Sequence, residues 1–348
     1  MKILVTADPE IPVPPTNYGG IERIVGALIG EYRRLGHEIG FVGNRHSKVD
    51  VDFFAPWPGA NSSSRWDTFK NMVSLVRSVR QFRPDVLHSF SRLAYMLPLM
   101  GNRLPKIMSY QREPTAKVVK WATKLAGSSL RFTGCSSYIS DLGKKSGGRW
   151  EAIPNFVDLA KFDFVSKVPE DAPLVFLSRI EEIKGTHVAI DVAKRSGKIL
   201  IIAGNHSADA KANDYWNNSI LPKIDNDKIK YVGPVNDQQK KTLLGSACAM
   251  IVPIQWNEPF GIVFAESLAC GTPIISCPRG ALPEIVPNRL GLGNVGGLGS
   301  STEDLIHLVS LIPQFSRESC RAHCEEYYSL SRVALEYLKI YKYFIEKS

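Results

Sequence analysis

The chain has 348 residues, 44% of them hydrophobic and 22% charged, with a formal net charge of +9. That length is too great for one ordinary domain and suits two, each burying its own core, and the composition excludes a fibrous or long disordered protein. The charge is uneven: residues 1–158 hold 22 Lys and Arg against 13 Asp and Glu, while residues 159–348 hold 21 of each class. The whole excess therefore lies in the first half and directs it towards something anionic, whether phosphate, a membrane surface or nucleic acid.

Short β-branched runs alternate with amphipathic stretches of a dozen residues or more, the pattern of a parallel sheet covered by helices. In the first half, strands are predicted at Ile3–Thr6, Glu38–Val42, Val51–Phe54, Val86–Ser89, Lys106–Tyr110 and Phe132–Cys135. Helices are predicted near 21–35, 67–82, 115–126 and 137–145. The pattern restarts with strands at Leu174–Leu177, Ile199–Ala203, Ile229–Val232, Met250–Pro253 and Pro273–Ser276. Two domains follow, residues 1–158 and 170–330, with a linker within Asn155–Pro173 that lacks a clear period. Residues 331–348 read as a helix with Val333, Leu335, Leu338, Ile340, Tyr341 and Phe344 apolar, able to join either domain, packing back on the first included. No apolar run approaches the roughly 20 residues that cross a bilayer, and Met1–Val5 leads straight to Asp8 and Glu10, so a cytoplasmic protein is expected. The six cysteines form no C-x-x-C pair and are expected to pack as reduced thiols, with neither zinc site nor disulfide framework.

Two short motifs carry little. Gly291-Leu-Gly293-Asn-Val-Gly296 matches G-x-G-x-x-G, but Pro287-Asn288-Arg289 precedes it where a dinucleotide fingerprint needs a strand, so a flexible loop is expected. Asp50 and Asp52 match D-x-D; alternation would place both carboxylates on one face of a strand, yet paired acids beside a strand are common and no metal is assigned to them.

The most informative segment is Glu258-Pro-Phe-Gly-Ile-Val-Phe-Ala-Glu266. A helix is predicted from near Phe260 to Ala269, closed by Gly271, which sets Glu258 before its N-terminus. There the free N–H groups of Gly261, Ile262 and Val263 can meet an anionic ligand. Glu266 lies about two turns on, so the two acids suit the two ends of one extended ligand.

This E-x7-E segment, with Pro-Phe-Gly after its first acid, resembles the retaining glycosyltransferases of family four, the group 1 enzymes. The resemblance implies an α/β fold of two Rossmann-like domains facing each other across a cleft (GT-B), with nucleotide-sugar binding in the second domain and acceptor binding in the first. It implies that Glu258 contacts hydroxyls of the transferred sugar and Glu266 the ribose hydroxyls, with Phe260 in the same donor-binding segment. Tyr18-Gly19-Gly20-Ile21-Glu22 resembles the family's glycine loop, where Gly19 and Gly20 let backbone N–H groups approach the diphosphate. Asp85-Val-Leu-His88 resembles the site whose histidine faces the donor sugar, although Phe90 stands where a second histidine is often found. Ile153-Pro-Asn155-Phe-Val-Asp158 resembles the family's hinge entry, with Phe156 for glycine. Arg179-Ile-Glu-Glu-Ile-Lys184-Gly185 resembles its basic loop, from which Arg179 and Lys184 can aim cations at one phosphate pair. Tyr231-Val-Gly-Pro234-Val235 resembles its base-binding edge.

The function implied is hexosyl transfer in glycan biosynthesis from a nucleotide diphosphate sugar, a UDP-sugar foremost, to a glycan, lipid-linked or small-molecule acceptor. Glu258, His88, Arg179 and Lys184 would be catalytic, and no metal or other cofactor would be required, since cations and helix N–H groups meet the leaving phosphate. A sugar-nucleotide 2-epimerase of the same fold and a non-catalytic nucleotide-sugar-binding protein are the alternatives. Nucleic acid is not expected as a partner, because no recognised binding module is present. Lys117, Lys120 and Lys124 form one helical stripe beside Trp121, and Arg77, Arg80 and Arg83 follow Trp66 and Phe69, so a peripheral site at an anionic membrane is a further expectation.

Overall fold

A computed structural model describes residues 1–15, 19–206, 210–287 and 294–346. The chain divides into two compact units, one of Met1–Phe156 with Leu330–Ser348 and the other of Val157–Ser329.

The first unit runs β1 (Lys2–Thr6), α1 (Gly20–Arg34), β2 (Glu38–Gly43), β3 (Phe53–Pro56), α2 (Arg65–Phe82), β4 (Val86–Ser89), a 3-10 segment at Leu93–Leu99, β5 (Lys106–Tyr110), α3 (Ala116–Ala126), β6 (Leu130–Gly134), α4 (Ser137–Lys144) and β7 (Trp150–Ala152). All seven strands are parallel, in the order β3-β2-β1-β4-β5-β6-β7. The inner strands β1, β2, β4, β5 and β6 are buried on both faces, as a sheet between helix layers requires, whereas the edge strand β3 leaves Phe54 exposed. On one face α2, the 3-10 segment and α3 close a core with Leu75, Phe82, Leu93, Met96, Val119 and Ala122.

The second unit runs β8 (Leu174–Leu177), α5 (Thr186–Arg195), β9 (Leu200–Ala203), α6 (Ala210–Tyr215), β10 (Ile229–Gly233), α7 (Asp237–Ser246), β11 (Ala249–Val252), α8 (Ile262–Ala269), β12 (Ile274–Ser276), α9 (Leu282–Ile285), β13 (Gly296–Leu298), α10 (Thr302–Ser310) and α11 (Arg317–Tyr327). Its parallel sheet has the order β10-β9-β8-β11-β12-β13. The chain ends as α12 (Leu330–Glu346), which packs on α1 in the first unit. Tyr337, Tyr341 and Phe344 are buried there, whereas Leu335, read as part of the apolar face, is exposed.

Several sequence expectations need correction. The residues read as a linker are divided between the units: Asn155 donates to Gln111 of the first at 2.7 Å, while further on Arg317 Nε donates to the Val165 carbonyl at 2.6 Å and the Val165 N–H donates to the Cys270 carbonyl at 3.2 Å in the second. The strand expected at Val51 begins at Phe53, because Asp52 turns back to accept the Ile39 N–H at 2.7 Å. The helix expected from Phe260 begins at Ile262, since Gly261 has φ +81°, outside helical space. Gly291 and Gly293 of the glycine motif lie outside the described residues, but Gly296 opens β13. The strands β7 (Trp-Glu-Ala) and β13 (Gly-Gly-Leu) were not predicted, because neither shows the β-branched apolar run that marked the equally short β12.

All six cysteines are free and buried. Burial pushes the Cys270 and Cys320 thiols up to about 12, so they pack as uncharged apolar groups. Among the described residues, no helix is long and apolar enough to cross a membrane.

Candidate functional site

Each sheet reverses its strand order once, between β1 and β4 in the first unit and between β8 and β11 in the second. In open α/β sheets ligands bind at the carboxyl ends of the strands beside that reversal.

In the second unit the loops after β8 and β11 meet there. The Gln255 N–H donates to the Ile183 carbonyl at 2.8 Å, and a Cβ on Gly185, which has φ +76°, would collide with the Pro253 carbonyl. This close approach brings together Lys184 and Glu258, 74 residues apart in sequence, with Nζ to Oε2 at 2.5 Å. The Trp256 indole N–H donates to the same Oε2 at 3.0 Å, and the Lys184 ammonium lies 4.8 Å from the Trp256 ring. A third loop locks the Glu258 backbone: the Ala281 N–H donates to the Glu258 carbonyl at 2.9 Å, and Gly280 leaves no room for a Cβ. Both charged groups are buried, so each depends on the other for compensation.

Past Glu258, the N–H groups of Gly261, Ile262 and Val263 precede the internal ladder of α8, at the positive end of its dipole. Glu266 is one turn into α8 and pairs with Lys240 of α7 at 2.5 Å. Lys240 was not singled out from the sequence. The Asn236–Gln239 capping box starts α7 and so sets Lys240 in its first turn, but no spacing in the sequence ties that lysine to Glu266.

The remaining predicted residues of this unit are less convergent. Arg179 pairs with Glu181 in its own loop at 2.7 Å, so each cation of the basic loop is held by a carboxylate. Phe260 is 2% exposed and packs edge-on against Tyr328 at 5.5 Å, so its ring belongs to the core and only its backbone can face a ligand. Val235, half-buried, follows β10 at an edge where Tyr231 donates to the Gly204 carbonyl at 2.9 Å and packs on Trp216 at 4.6 Å.

In the first unit, Gly19 caps α1 and Gly20 begins it. A Cβ on Gly19 would approach Pro15 at 2.7 Å and Glu22 at 2.9 Å, so glycine is demanded by close packing. Tyr18 of the same motif lies outside the described residues. Across the strand reversal, the Asp8 carboxylate accepts the Arg92 N–H at 3.0 Å. Burial, with Glu10 nearby, raises the Asp8 carboxyl to about 6.

His88 does not face a ligand. It is fully buried, with Nδ1 2.5 Å from the Tyr341 hydroxyl and Nε2 2.6 Å from Ser109 Oγ. Burial lowers the ring to about 3, so it is neutral, one nitrogen donating and the other accepting. The hydroxyl chain runs on from Tyr341 to Tyr32 at 2.9 Å and from Ser109 to Thr133 at 2.6 Å, making the histidine the centre of a polar core that α12 completes. A strand-end histidine can point to either layer, and the choice was invisible until α12 was placed. Asp50 and Asp52 share one guanidinium, Arg33, at 3.1 and 2.8 Å.

The second unit thus offers lysines and helix N–H groups suited to an anion, beside two buried carboxylates able to accept from hydroxyls. Residues 18–161 match the family model described as glycosyltransferase family 4, and residues 160–299 match glycosyl transferases group 1. The chain belongs to this family. The two matches meet at residues 160–161 and take in most of both units. Among curated relatives, the glycogen synthase of Mycobacterium tuberculosis is 26% identical over 258 residues, 65% of this chain and 61% of that protein. The chain therefore spans less than two thirds of that relative. A solved glycosyltransferase from Rickettsia africae superposes with TM-score 0.79 at 16% identity, covering 100% of this chain and 99% of the other. HepE of Anabaena, solved with UDP and glucose, gives TM-score 0.71 at 16% identity, covering 98% and 99%. These likenesses fix the GT-B fold of this family-four chain.

Proposed function

We propose that this chain is a metal-independent, retaining glycosyltransferase that moves a hexose from a nucleoside diphosphate sugar, a UDP-sugar foremost, to an acceptor. The observation that carries the reading is the meeting of Lys184, Trp256 and Glu258 at the strand reversal of the second unit, with Glu266 one turn into the next helix. HepE, which shares the fold, binds UDP and glucose, and this supports the choice of donor.

On this reading the donor diphosphate takes the place that Glu258 now holds beside Lys184, and the N–H groups at 261–263 face it. Glu258, released to the sugar hydroxyls, stays oriented by Trp256, and Glu266 receives the ribose hydroxyls. Arg179 adds its charge by turning from Glu181. The bond from the anomeric carbon to the phosphate oxygen breaks while the acceptor oxygen attacks the same face, and its proton passes to the departing phosphate. Lys184 and the helix N–H groups stabilise the charge that develops there, the role a metal would otherwise fill. The acceptor, a glycan, a lipid-linked sugar or a small molecule, falls to the basic first unit, and the enzyme works in the cytoplasm at the inner face of the membrane.

Retention can be tested without knowing the acceptor, through slow hydrolysis of a UDP-α-sugar followed by proton NMR in EDTA. The α-anomer should appear first and equilibrate later. First appearance of the β-anomer, or turnover only with added manganese, would overturn the mechanism.

A further inference from the structure

Outside the donor site, the helix layer over one face of the first sheet is conspicuous for apolar side chains turned outward. On α3, Val119, Ala122 and Ala126 face the core. Val118, Trp121 and Leu125 form a second stripe, 43%, 56% and 54% exposed. Beside that stripe run Lys117, Lys120 and Lys124, with the Lys124 ammonium 5.9 Å from the Trp121 ring. The helix carries no acid. In the same layer, the start of α2 exposes Trp66 and Phe69, stacked at 5.7 Å, with Lys70 5.6 Å from the indole and paired with Asp67 at 3.3 Å, whereas Lys117, Lys120 and Lys124 of α3 pair with no carboxylate among the described residues. Both helices turn their buried faces into one core, so both exposed faces look outward from it.

We infer that this layer, led by α3, docks on an anionic lipid surface, with Val118, Trp121 and Leu125 entering the headgroup region and the lysine stripe meeting lipid phosphates. The chemistry is that of an interfacial amphipathic helix: an indole at the polar boundary, apolar side chains beside it, and cations able to extend towards headgroups. Charge complementarity selects the anionic lipid, because the entire net charge of the chain lies in this half and no carboxylate interrupts the stripe. The surface deepens the acceptor side of the proposed function, for it would hold the first unit where a membrane-borne acceptor is presented.

The test is co-sedimentation of the full chain with phosphatidylcholine vesicles and with vesicles in which about a third of the lipid is phosphatidylglycerol. Binding should appear only with the anionic vesicles, fade as salt is raised, and fall about a hundredfold in Lys117→Gln/Lys120→Gln/Lys124→Gln, at about 1 kcal/mol per lysine. Trp121→Ser/Leu125→Ser should also lose binding while keeping the wild-type melting temperature, since both side chains are exposed. Equal recovery with neutral and anionic vesicles, no recovery with either, or unchanged binding by both variants would overturn the inference. No donor is present in this experiment. Its failure therefore leaves the donor reading standing, and a failure of nucleotide binding leaves this surface standing.

Discussion

In the structure the Lys184 ammonium and the Glu258 carboxylate occupy each other, with the Trp256 N–H on the same oxygen. Removing one partner strands the other in a buried place, at a cost of about 3–5 kcal/mol. Lys184→Met should therefore destabilise the protein and weaken UDP binding 10- to 100-fold, about 1.5–3 kcal/mol for a charge-assisted bond. Glu258→Gln should spare UDP affinity and abolish transfer, and the double variant should regain much of the lost stability. Urea unfolding and calorimetric titration of the four proteins check this, and equal loss of UDP affinity in both single variants would refute the separate roles. Asp8 gives a pH-dependent case. Its folded value of about 6 lies above the ordinary 3.8 of a free aspartate, so its penalty is absent below pH 4, grows as pH rises from 4 to 6, and is complete above 6. Asp8→Asn keeps an acceptor for the Arg92 N–H and should be more stable than wild type by about 1–3 kcal/mol at pH 7.5, with no gain at pH 4. A gain that is the same at both pH values would contradict it. At this scale the structure joins Lys184 to Glu258 and leaves Arg179 with Glu181, and Glu258, Glu266, Lys184 and Arg179 were all marked out in the sequence by dense local patterns. Lys240 and Trp256 were not, because a lysine in a helix or a tryptophan in a loop has no spacing that reveals its partner.

The elements around the site were legible where they are long. α2 and α12 announce themselves by periodicity, and the central strands by apolar runs bounded by turns. What sequence could not supply was the pairing of distant elements. The α12 helix has no pattern that assigns it to a unit, yet it supplies Tyr337 and Tyr341 to the polar core around His88. Without the Tyr341 hydroxyl, His88 Nδ1 and the Tyr32 hydroxyl lose their partner, so Tyr341→Phe should lower stability by about 1–3 kcal/mol and leave UDP affinity unchanged. Thermal melting and titration on the same variant separate the outcomes. A loss of UDP affinity with an unchanged melting temperature would return His88 to the donor site. The joining of the β8 and β11 loops rests likewise on Gly185, whose φ of +76° and contact with the Pro253 carbonyl forbid a side chain. Gly185→Ala should be destabilising and should separate Lys184 from Glu258, so UDP affinity falls with stability. A fully stable Gly185→Ala protein with wild-type UDP affinity would show that the loop junction is not needed.

At the scale of the whole molecule, two doubly wound sheets place one strand reversal in each unit, and the second carries the charged groups suited to a nucleoside diphosphate sugar. The charge asymmetry that the composition revealed belongs to the other unit, where Lys124 and Lys70 lie beside the exposed Trp121 and Trp66. If the second unit grips a nucleoside diphosphate through its own cations, calorimetric titration of UDP in EDTA, with Lys184→Ala in parallel, will show it. Wild type should bind one UDP per chain with EDTA present, and the variant should bind 10- to 100-fold more weakly while remaining folded. No heat with UDP, GDP or ADP, binding that needs a divalent cation, or equal affinity in the folded variant would contradict it.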